Sequence, residues 1–107
     1  MQVTEAGHGY ELMNYSVGEN GLLGFAPGSQ PVIFVSRLAG DLVHEGTTNE
    51  EVLAMLIDRM KFLNGKFPCR ENSIVITKLE EALMWLNRRT ELRQAQGVEG
   101  QDKPHQS

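Results

Sequence analysis

One long segment, from Cys69 to Gln96, constrains the fold more than any other feature of the sequence, because its pattern predicts a single helix. Pro68 precedes this segment in the first-turn position that proline tolerates, and Gly97 follows it. A helix of roughly 27 residues is about 40 Å long, whereas a compact domain of about 100 residues has a radius of gyration near 13 Å. The helix is therefore too long to be covered along its whole length by the rest of a chain of 107 residues.

The middle of this helix, residues 82–86, is apolar around its whole circumference. A helix that is apolar on every side is typical of a buried helix, and one further helix and a small sheet do not cover all of its faces. Ile76, Leu79, Leu83 and Leu86 alternate three and four residues apart, as the seam of a helical bundle does. We therefore expect the chain to assemble into a homo-oligomer through helix–helix packing.

A second, shorter helix precedes the long one. Thr48 and Glu51 have the spacing of a capping box, and apolar residues from Val52 to Leu63 recur every three or four positions. Asn64 and Gly65 are expected to end this helix, with Gly65 in a left-handed cap. Because a five-residue link joins the two helices, the sequence predicts an antiparallel helical hairpin over residues 47–97.

The residues before the hairpin, 10–46, predict a small antiparallel β-sheet. Its strand candidates are rich in aromatic and β-branched residues, and its turn candidates are rich in glycine and proline. The strands are expected at Tyr10–Val17, Val32–Ser36 and Asp41–Glu45, and the breaks at Gly18–Gly21 and Pro27–Pro31.

The two ends of the chain lack such patterns. Residues 1–9 are expected to form a flexible N-terminus, and the polar residues 98–107 a disordered tail. The sequence thus predicts an α+β fold and one domain overall, with the small N-terminal sheet followed by the long hairpin that oligomerises.

Charge and composition exclude several classes of function. The net charge of −4 argues against a general binder of nucleic-acid polymers. Residues 1–58 hold eight acidic residues and one basic residue, whereas residues 59–93 hold eight basic and four acidic residues. This distribution is compatible with a small anionic ligand, or with ordinary solvated charge. No apolar run approaches the ~20 residues that span a bilayer, no secretory signal is visible, and the single cysteine suits a reducing compartment.

Catalytic and metal-binding patterns are weak. Cys69 stands next to Arg70, but no histidine lies in a context that would supply a base for the thiol. The three histidines lack the spacing of metal ligands, and the adjacent Glu80 and Glu81 point apart on a helix. We therefore expect a protein that is not an enzyme and that has neither a cofactor nor a metal site.

Binding residues are the better candidates. Arg89 and Arg93 are one helical turn apart and suit a phosphate or a base, although cations also favour a helix C-terminus for its dipole. Phe62 and Asn72 suit base recognition, although Phe62 is equally compatible with a core position. Asn72 and Arg89 are about 25 Å apart on one helix, so a ligand that contacts both must lie between subunits.

Six motifs, most of them in the second half of the sequence, carry a family resemblance. They are Gly46–Glu51, Leu56–Arg59, Phe67–Asn72, Thr77–Leu86, Arg89–Thr90 and Gly97–Gly100. They resemble one phage and prophage family, the Thoeris anti-defence sponge proteins, whose helical hairpin is shared with an anti-CBASS sponge. The resemblance covers about residues 32–100, and the stretch from Cys69 to Thr90 is its most specific part.

The resemblance implies a small sheet followed by two helices that assemble as dimers and hexamers. It implies binding, without cleavage, of cyclic ADP-ribose isomers made by bacterial TIR enzymes, and in some members of cyclic di- or trinucleotides in separate pockets. The place of action would be the cytoplasm of the bacterial host. The alternative is a helical adaptor that docks a host or phage protein; an enzyme acting on the same nucleotide is a third hypothesis.

The resemblance also implies roles for individual residues. Phe62 and Arg89 would flank an adenine, Asn72 would hydrogen-bond the ligand, and Arg93 would lie near a phosphate. Arg37, after the clearest strand, is a candidate for a second pocket that takes cyclic oligonucleotides. Two further residues fall in the matched motifs without an assigned role, namely Arg70 and Thr90.

Overall fold

Five strands and two helices follow one another along the chain, in a computed structural model that describes residues 1–38 and 40–96. The predicted α+β class is confirmed. The elements are β1 (Gln2–Glu5), β2 (Gly9–Val17), β3 (Leu23–Ile33), β4 (Ser36–Leu38), β5 (Asp41–His44), α1 (Asn49–Lys66) and α2 (Arg70–Ala95).

The chain divides into two compact units. One consists of Met1–Ser36 with Leu42–Thr47 and contains the three-stranded sheet; the other consists of Arg37–Asp41 with the residues from Thr48 onward and contains both helices. The tail expected at residues 98–107 lies outside the described residues.

The sheet has the order β1-β2-β3, and both pairs of neighbours are antiparallel. Its first strand falls in the N-terminal segment, which shows no periodic pattern in the sequence, and Gln2 is paired with Glu11. Four residues do not form a stable strand by themselves, so β1 depends on its hydrogen bonds to β2. The expected turn after Val17 is confirmed: the amide of Gly21 donates to the carbonyl of Gly18, and Gly21 has a φ of 78°.

β3 runs through the proline- and glycine-rich segment at which a break was expected, so that expectation was wrong. The register between β2 and β3 shifts between Met13 and Tyr15, and the extra residues of β3 lie opposite Asn14. The Asn14 amide donates to the carbonyl of Pro27 at 3.0 Å, and Gly28 adopts a φ of 85°. A bulge thus accommodates the breaker residues within the strand.

The expected strand at Val32–Ser36 is divided between two elements. Its first two residues end β3, Phe34 forms a parallel bridge with Thr47, and Ser36 begins β4. β4 and β5 form a separate two-stranded sheet.

The start of α1 confirms the predicted cap, and its end differs from the prediction. The side chain of Thr48 accepts a hydrogen bond from the amide of Glu51 at 3.1 Å. Gly65 lies inside the helix, because the amide of Phe67 still bonds to the carbonyl of Leu63 at 3.0 Å. The left-handed cap at Gly65 was therefore a wrong expectation, and the helix ends only before Pro68.

α2 begins one residue after Cys69, whose thiol caps it by accepting a hydrogen bond from the amide of Asn72 at 3.4 Å. Pro68 therefore precedes the cap and does not lie in the first turn. Side-chain contacts between the helices show the antiparallel pairing of the predicted hairpin. Asn64 bonds to Ser73 near the link, and Lys61 pairs with Glu80 at 3.2 Å further from it.

Few hydrophobic side chains among the described residues are fully buried. Ile57, on α1, is the one hydrophobic residue that counts as buried there, with 9% of its surface exposed. The four predicted seam residues of α2 are half-buried. Large hydrophobic side chains such as Met84 (55% exposed) and Trp85 (67% exposed) remain on the surface of the hairpin.

Candidate ligand-binding residues on the helical hairpin

Three candidate residues lie near the link between the helices, and we call them the tip group: Phe62, Arg70 and Asn72. Phe62 is 57% exposed, so it does not lie in a core of the single chain. The ammonium of Lys66 lies 4.8 Å from the centre of the Phe62 ring, in a cation–π contact along α1. Arg70 is exposed, and the side chain of Asn72 is half-buried.

Hydrogen bonds across the link fix the tip group. The side-chain oxygen of Asn64 accepts from the amide of Cys69 at 3.1 Å, and its amide group donates to the hydroxyl of Ser73 at 3.3 Å. One asparagine thus joins the last turn of α1 to the first turn of α2. Because Phe62 and Asn72 lie on these two turns, their backbones are held in a defined relation.

The other candidates of the hairpin lie near the C-terminus of α2, and we call them the base group: Arg89, Thr90 and Arg93. Arg89 is exposed and Thr90 is half-buried. Arg93 is only 5% exposed, although the resemblance implied a phosphate contact for it. It lies seven residues after Leu86, in phase with the half-buried seam residues of α2.

A single chain keeps the two groups apart. α2 is continuous from Arg70 to Ala95, so the 17 residues between Asn72 and Arg89 correspond to about 25 Å along the helix. Arg37 is exposed on β4, outside both helices. The structure therefore brings neighbouring candidates together at each end of the hairpin and does not unite the two ends.

A groove of about 720 Å³ lies on one side of the hairpin between α1 and α2. Apolar side chains and charged side chains of both signs line it. None of the seven candidate residues is among them. The apolar lining residues are Ala54, Ile57, Leu83 and Met84; the polar and charged ones are Asp58, Lys61, Glu80, Asn87, Arg88 and Glu91.

Sequence reasoning missed this groove, although a signal for it was present. Glu80, Met84 and Arg88 recur every four residues on α2, which places them on one face of the helix. The expectation that Glu80 and Glu81 point apart agrees with their partners: Glu80 pairs with Lys61 of α1, and Glu81 with Lys78 of its own helix at 3.8 Å.

Among the residues that the structure describes, no group of three or more potential ligands is arranged to hold a metal ion. Over the same residues, neither helix combines the length and the apolar character needed to cross a bilayer.

His8 and His44 are half-buried and pack edge to face, and the His44 ring lies 3.3 Å from the Glu5 carboxylate. These two histidines thus serve packing within the unit that contains the sheet.

The fold defines the class: an α+β protein in which a small antiparallel sheet precedes a capped helical hairpin. Residues 24–91 match the family model described as the Acb2/Tad1 hairpin domain, and the chain belongs to this family. The match begins within β3 and ends within α2, so it includes Arg37, the tip group, Arg89 and Thr90.

A curated relative supports this assignment. The chain is 59% identical over 56 residues to Thoeris anti-defense 1 of Bacillus phage SBSphiJ7. The aligned part amounts to 51% of this chain and 39% of that relative, so it spans less than half of the relative's length.

Proposed function

We propose that the protein is a phage anti-defence sponge that binds cyclic nucleotide immune signals and sequesters them without cleaving them. The ligands in view are the cyclic ADP-ribose isomers of Thoeris and, in addition, cyclic di- or trinucleotides of CBASS. The observation that carries the proposal is the family match over residues 24–91. The matched residues include an exposed aromatic ring, Phe62, and an exposed arginine, Arg89, at opposite ends of the hairpin.

Sequestration sets a requirement on affinity. A sponge releases no product, so one binding site removes one signal molecule. The sponge must also compete with the receptor for that signal. Receptors of micromolar to nanomolar affinity correspond to about −8 to −12 kcal/mol. Arginine–phosphate pairs and base stacking in a site that excludes water are able to supply a free energy of this size.

The proposed site lies between copies of the chain, in a homo-oligomer that is a dimer or a hexamer. Two observations support this arrangement. The tip and base groups are too far apart within one chain for a single small nucleotide. Exposed apolar side chains on α2, among them Val75 and Trp85, give a second copy a surface to cover.

Within this site, Phe62 of one copy and Arg89 of another would flank the adenine, and Asn72 would hydrogen-bond the ligand. Arg93 is buried in the single chain, so a phosphate contact by Arg93 requires its side chain to move. Arg37 is proposed for a second pocket. Host cytoplasm is the proposed place of action, since the signals are made there.

Titration calorimetry tests the proposal. Purified protein is titrated with two cyclic ADP-ribose isomers, one cyclic dinucleotide and one cyclic trinucleotide, and the complex is then heated to release the ligand. We expect micromolar or tighter binding of at least one compound and recovery of that compound chemically unchanged. Recovery of a cleaved compound would support an enzyme; absence of binding across the panel would remove the sponge proposal.

Substitutions then test the assigned residues. We expect Phe62→Ala and Arg89→Ala each to weaken binding at least tenfold without changing the oligomeric state, because each removes one side of the adenine site. Phe67→Ala is the matched control for the ring, since Phe67 is 78% exposed and lies at the link. Lys78→Ala is the matched control for the cation. Binding by both site variants at wild-type strength would exclude the site.

The adaptor hypothesis retains one supporting observation, the exposed apolar side chains themselves. An adaptor requires a partner protein to cover them, whereas a sponge covers them with further copies of the chain. Light scattering distinguishes the two: a saturated homo-oligomer of defined mass contradicts the adaptor, and a monomer that is soluble only with a partner supports it.

A further inference from the structure

We propose that Lys66 is a further residue of the ligand site: its ammonium lies over one face of the Phe62 ring and pairs with a phosphate of the nucleotide, while the base stacks on the other face. This inference rests on the proposed function and adds which cation at the tip of the hairpin binds the ligand's phosphate. Lys66 is not among the seven candidate residues.

The geometry of α1 holds Lys66 and Phe62 together. The two residues are four positions apart, which places their side chains on the same side of the helix. The Lys66 ammonium lies 4.8 Å from the centre of the Phe62 ring, within the distance at which the face of an aromatic ring attracts a cation. Phe62 still exposes 57% of its surface, so the ring keeps an accessible area for a stacked base. A lysine and a base can therefore contact one ring from its two sides.

The charge of Lys66 is not held by a carboxylate, in contrast to the other two lysines of the helices. Lys61 pairs with Glu80 at 3.2 Å, and Lys78 pairs with Glu81 at 3.8 Å. Among the residues that the structure describes, no carboxylate lies within ion-pair distance of Lys66. An anionic ligand can thus pair with this ammonium without first breaking an ion pair of the chain.

The proposed ligands require a cation of this kind. Cyclic ADP-ribose carries a pyrophosphate, and cyclic oligonucleotides carry a phosphate for each nucleotide. Arg93 is only 5% exposed, so its contact with a phosphate requires its side chain to move. Lys66 is exposed and already lies beside the proposed stacking ring. A hydrogen bond between an ammonium and a phosphate oxygen is among the stronger polar contacts of proteins.

A second exposed cation near the link, Arg70, is the alternative partner for the phosphate. Arg70 begins α2, whereas Lys66 is the one cation, among the residues described, that lies over the Phe62 ring. In a nucleotide the phosphate is joined to the base through a single ribose. A base stacked on Phe62 therefore brings its phosphate close to groups around that ring, which favours Lys66.

Titration calorimetry of two Lys66 variants tests the contact. The wild-type chain, Lys66→Met and Lys66→Arg are each titrated with the two cyclic ADP-ribose isomers at about 50 mM and about 500 mM salt. At the lower salt we expect Lys66→Met to weaken binding by about fivefold or more, because methionine covers the ring but carries no charge. We expect Lys66→Arg to bind within about twofold of wild type, since a guanidinium also stacks on aromatic faces and binds phosphate.

The two salt concentrations separate a charge contact from a structural role. Salt screens the attraction between ammonium and phosphate, so we expect the difference between wild type and Lys66→Met to shrink at the higher salt. A loss caused by altered packing of the ring would be equal at both. Lys78→Met is the matched control, an exposed lysine of the hairpin paired with Glu81, and we expect it to bind as wild type does. Circular dichroism and light scattering verify that each variant keeps the wild-type fold and mass.

The outcomes distinguish this inference from the proposed function. If the wild-type chain binds an isomer and Lys66→Met binds it equally well at the lower salt, Lys66 does not contact the phosphate and the sponge proposal is unaffected. Tighter binding by Lys66→Met would show that the lysine competes with the base for the ring, which also overturns the inference. A loss that Lys66→Arg shares, or that is equal at both salt concentrations, contradicts the charge contact. A wild-type chain that binds neither isomer would overturn the inference, and the sponge proposal would then depend on the cyclic di- and trinucleotides.

Discussion

Individual side chains define where each helix of the hairpin begins. Thr48 caps α1 through its hydroxyl, and Cys69 caps α2 through its thiol, a weaker acceptor. The Thr48 cap was readable from the sequence, because a cap depends on residues within one turn of it. The start of α2 was expected at Pro68, two residues before the helix begins. The contact of Cys69 is that of a capping residue.

The cap of α1 can be tested by substitution. We expect Thr48→Ala to lower the free energy of unfolding by about 1 kcal/mol, since the amide of Glu51 loses its acceptor. Urea denaturation followed by circular dichroism measures the change. Thr77→Ala, at an exposed position in the middle of α2, is the control, and we expect a change within about 0.5 kcal/mol. Equal losses in the two variants would show that the Thr48 hydroxyl has no special role.

Among the elements, the end of α1 was predicted wrongly from the sequence. An asparagine–glycine pair commonly ends a helix, yet Gly65 is helical here, and a Cβ added to it would meet no atom within 4 Å. Asn64 uses its side chain to bond to the start of α2 instead. The tertiary contact between the two helices thus overrides the local signal.

A helical Gly65 and a left-handed Gly65 predict opposite effects of an alanine substitution on stability. We expect Gly65→Ala to raise the free energy of unfolding by about 0.5–1 kcal/mol, because alanine favours the helix and has space. Thermal and urea unfolding measure the gain. A left-handed glycine would give a loss instead, as we expect for Gly21→Ala at a φ of 78°.

The bulge of β3 is tested in the same way. Gly28 has a φ of 85°, and a Cβ there would lie 3.1 Å from the Asn14 side-chain nitrogen. We expect Gly28→Ala to lower the free energy of unfolding by about 1–2 kcal/mol, as the left-handed backbone costs an L-residue about that much. Gly24→Ala is the control in the same strand, because nothing lies within 4 Å of its Cβ position. A smaller loss at Gly28 than at Gly24 would contradict the bulge.

For the whole molecule, the exposed apolar surface is the property with the largest consequence. Ile57 is the one buried hydrophobic residue among those described, while side chains such as Trp85 and Phe25 are about two-thirds exposed or more. Burial of apolar surface is the main favourable term in folding. We infer that association between copies supplies burial that the single chain lacks.

Association of this kind makes stability depend on concentration. We expect the midpoint of thermal unfolding to rise by several degrees between about 1 and 100 μM protein, because self-association stabilises the folded state by mass action. Differential scanning fluorimetry or calorimetry over this range measures the shift. A midpoint that is constant over the range would contradict association as a source of stability.

The sequence by itself determined the helices, the first turn of the sheet and the α+β class. Caps, apolar spacing and turn glycines act over a few residues, so the residues that decide them stand next to one another in the sequence. The family resemblance added the candidate ligand residues.

Only the tertiary structure decided the rest. β3 is continuous through Pro27 because β2 and the Asn14 side chain hold it. The helix continues through Gly65 where the preceding residue, Asn64, bonds to the start of α2. Phe62 is 57% exposed and Arg93 is 5% exposed, and the helical spacing of the sequence alone assigned neither of these exposures. These outcomes depend on residues distant in sequence, whose contacts exist only once the chain has folded.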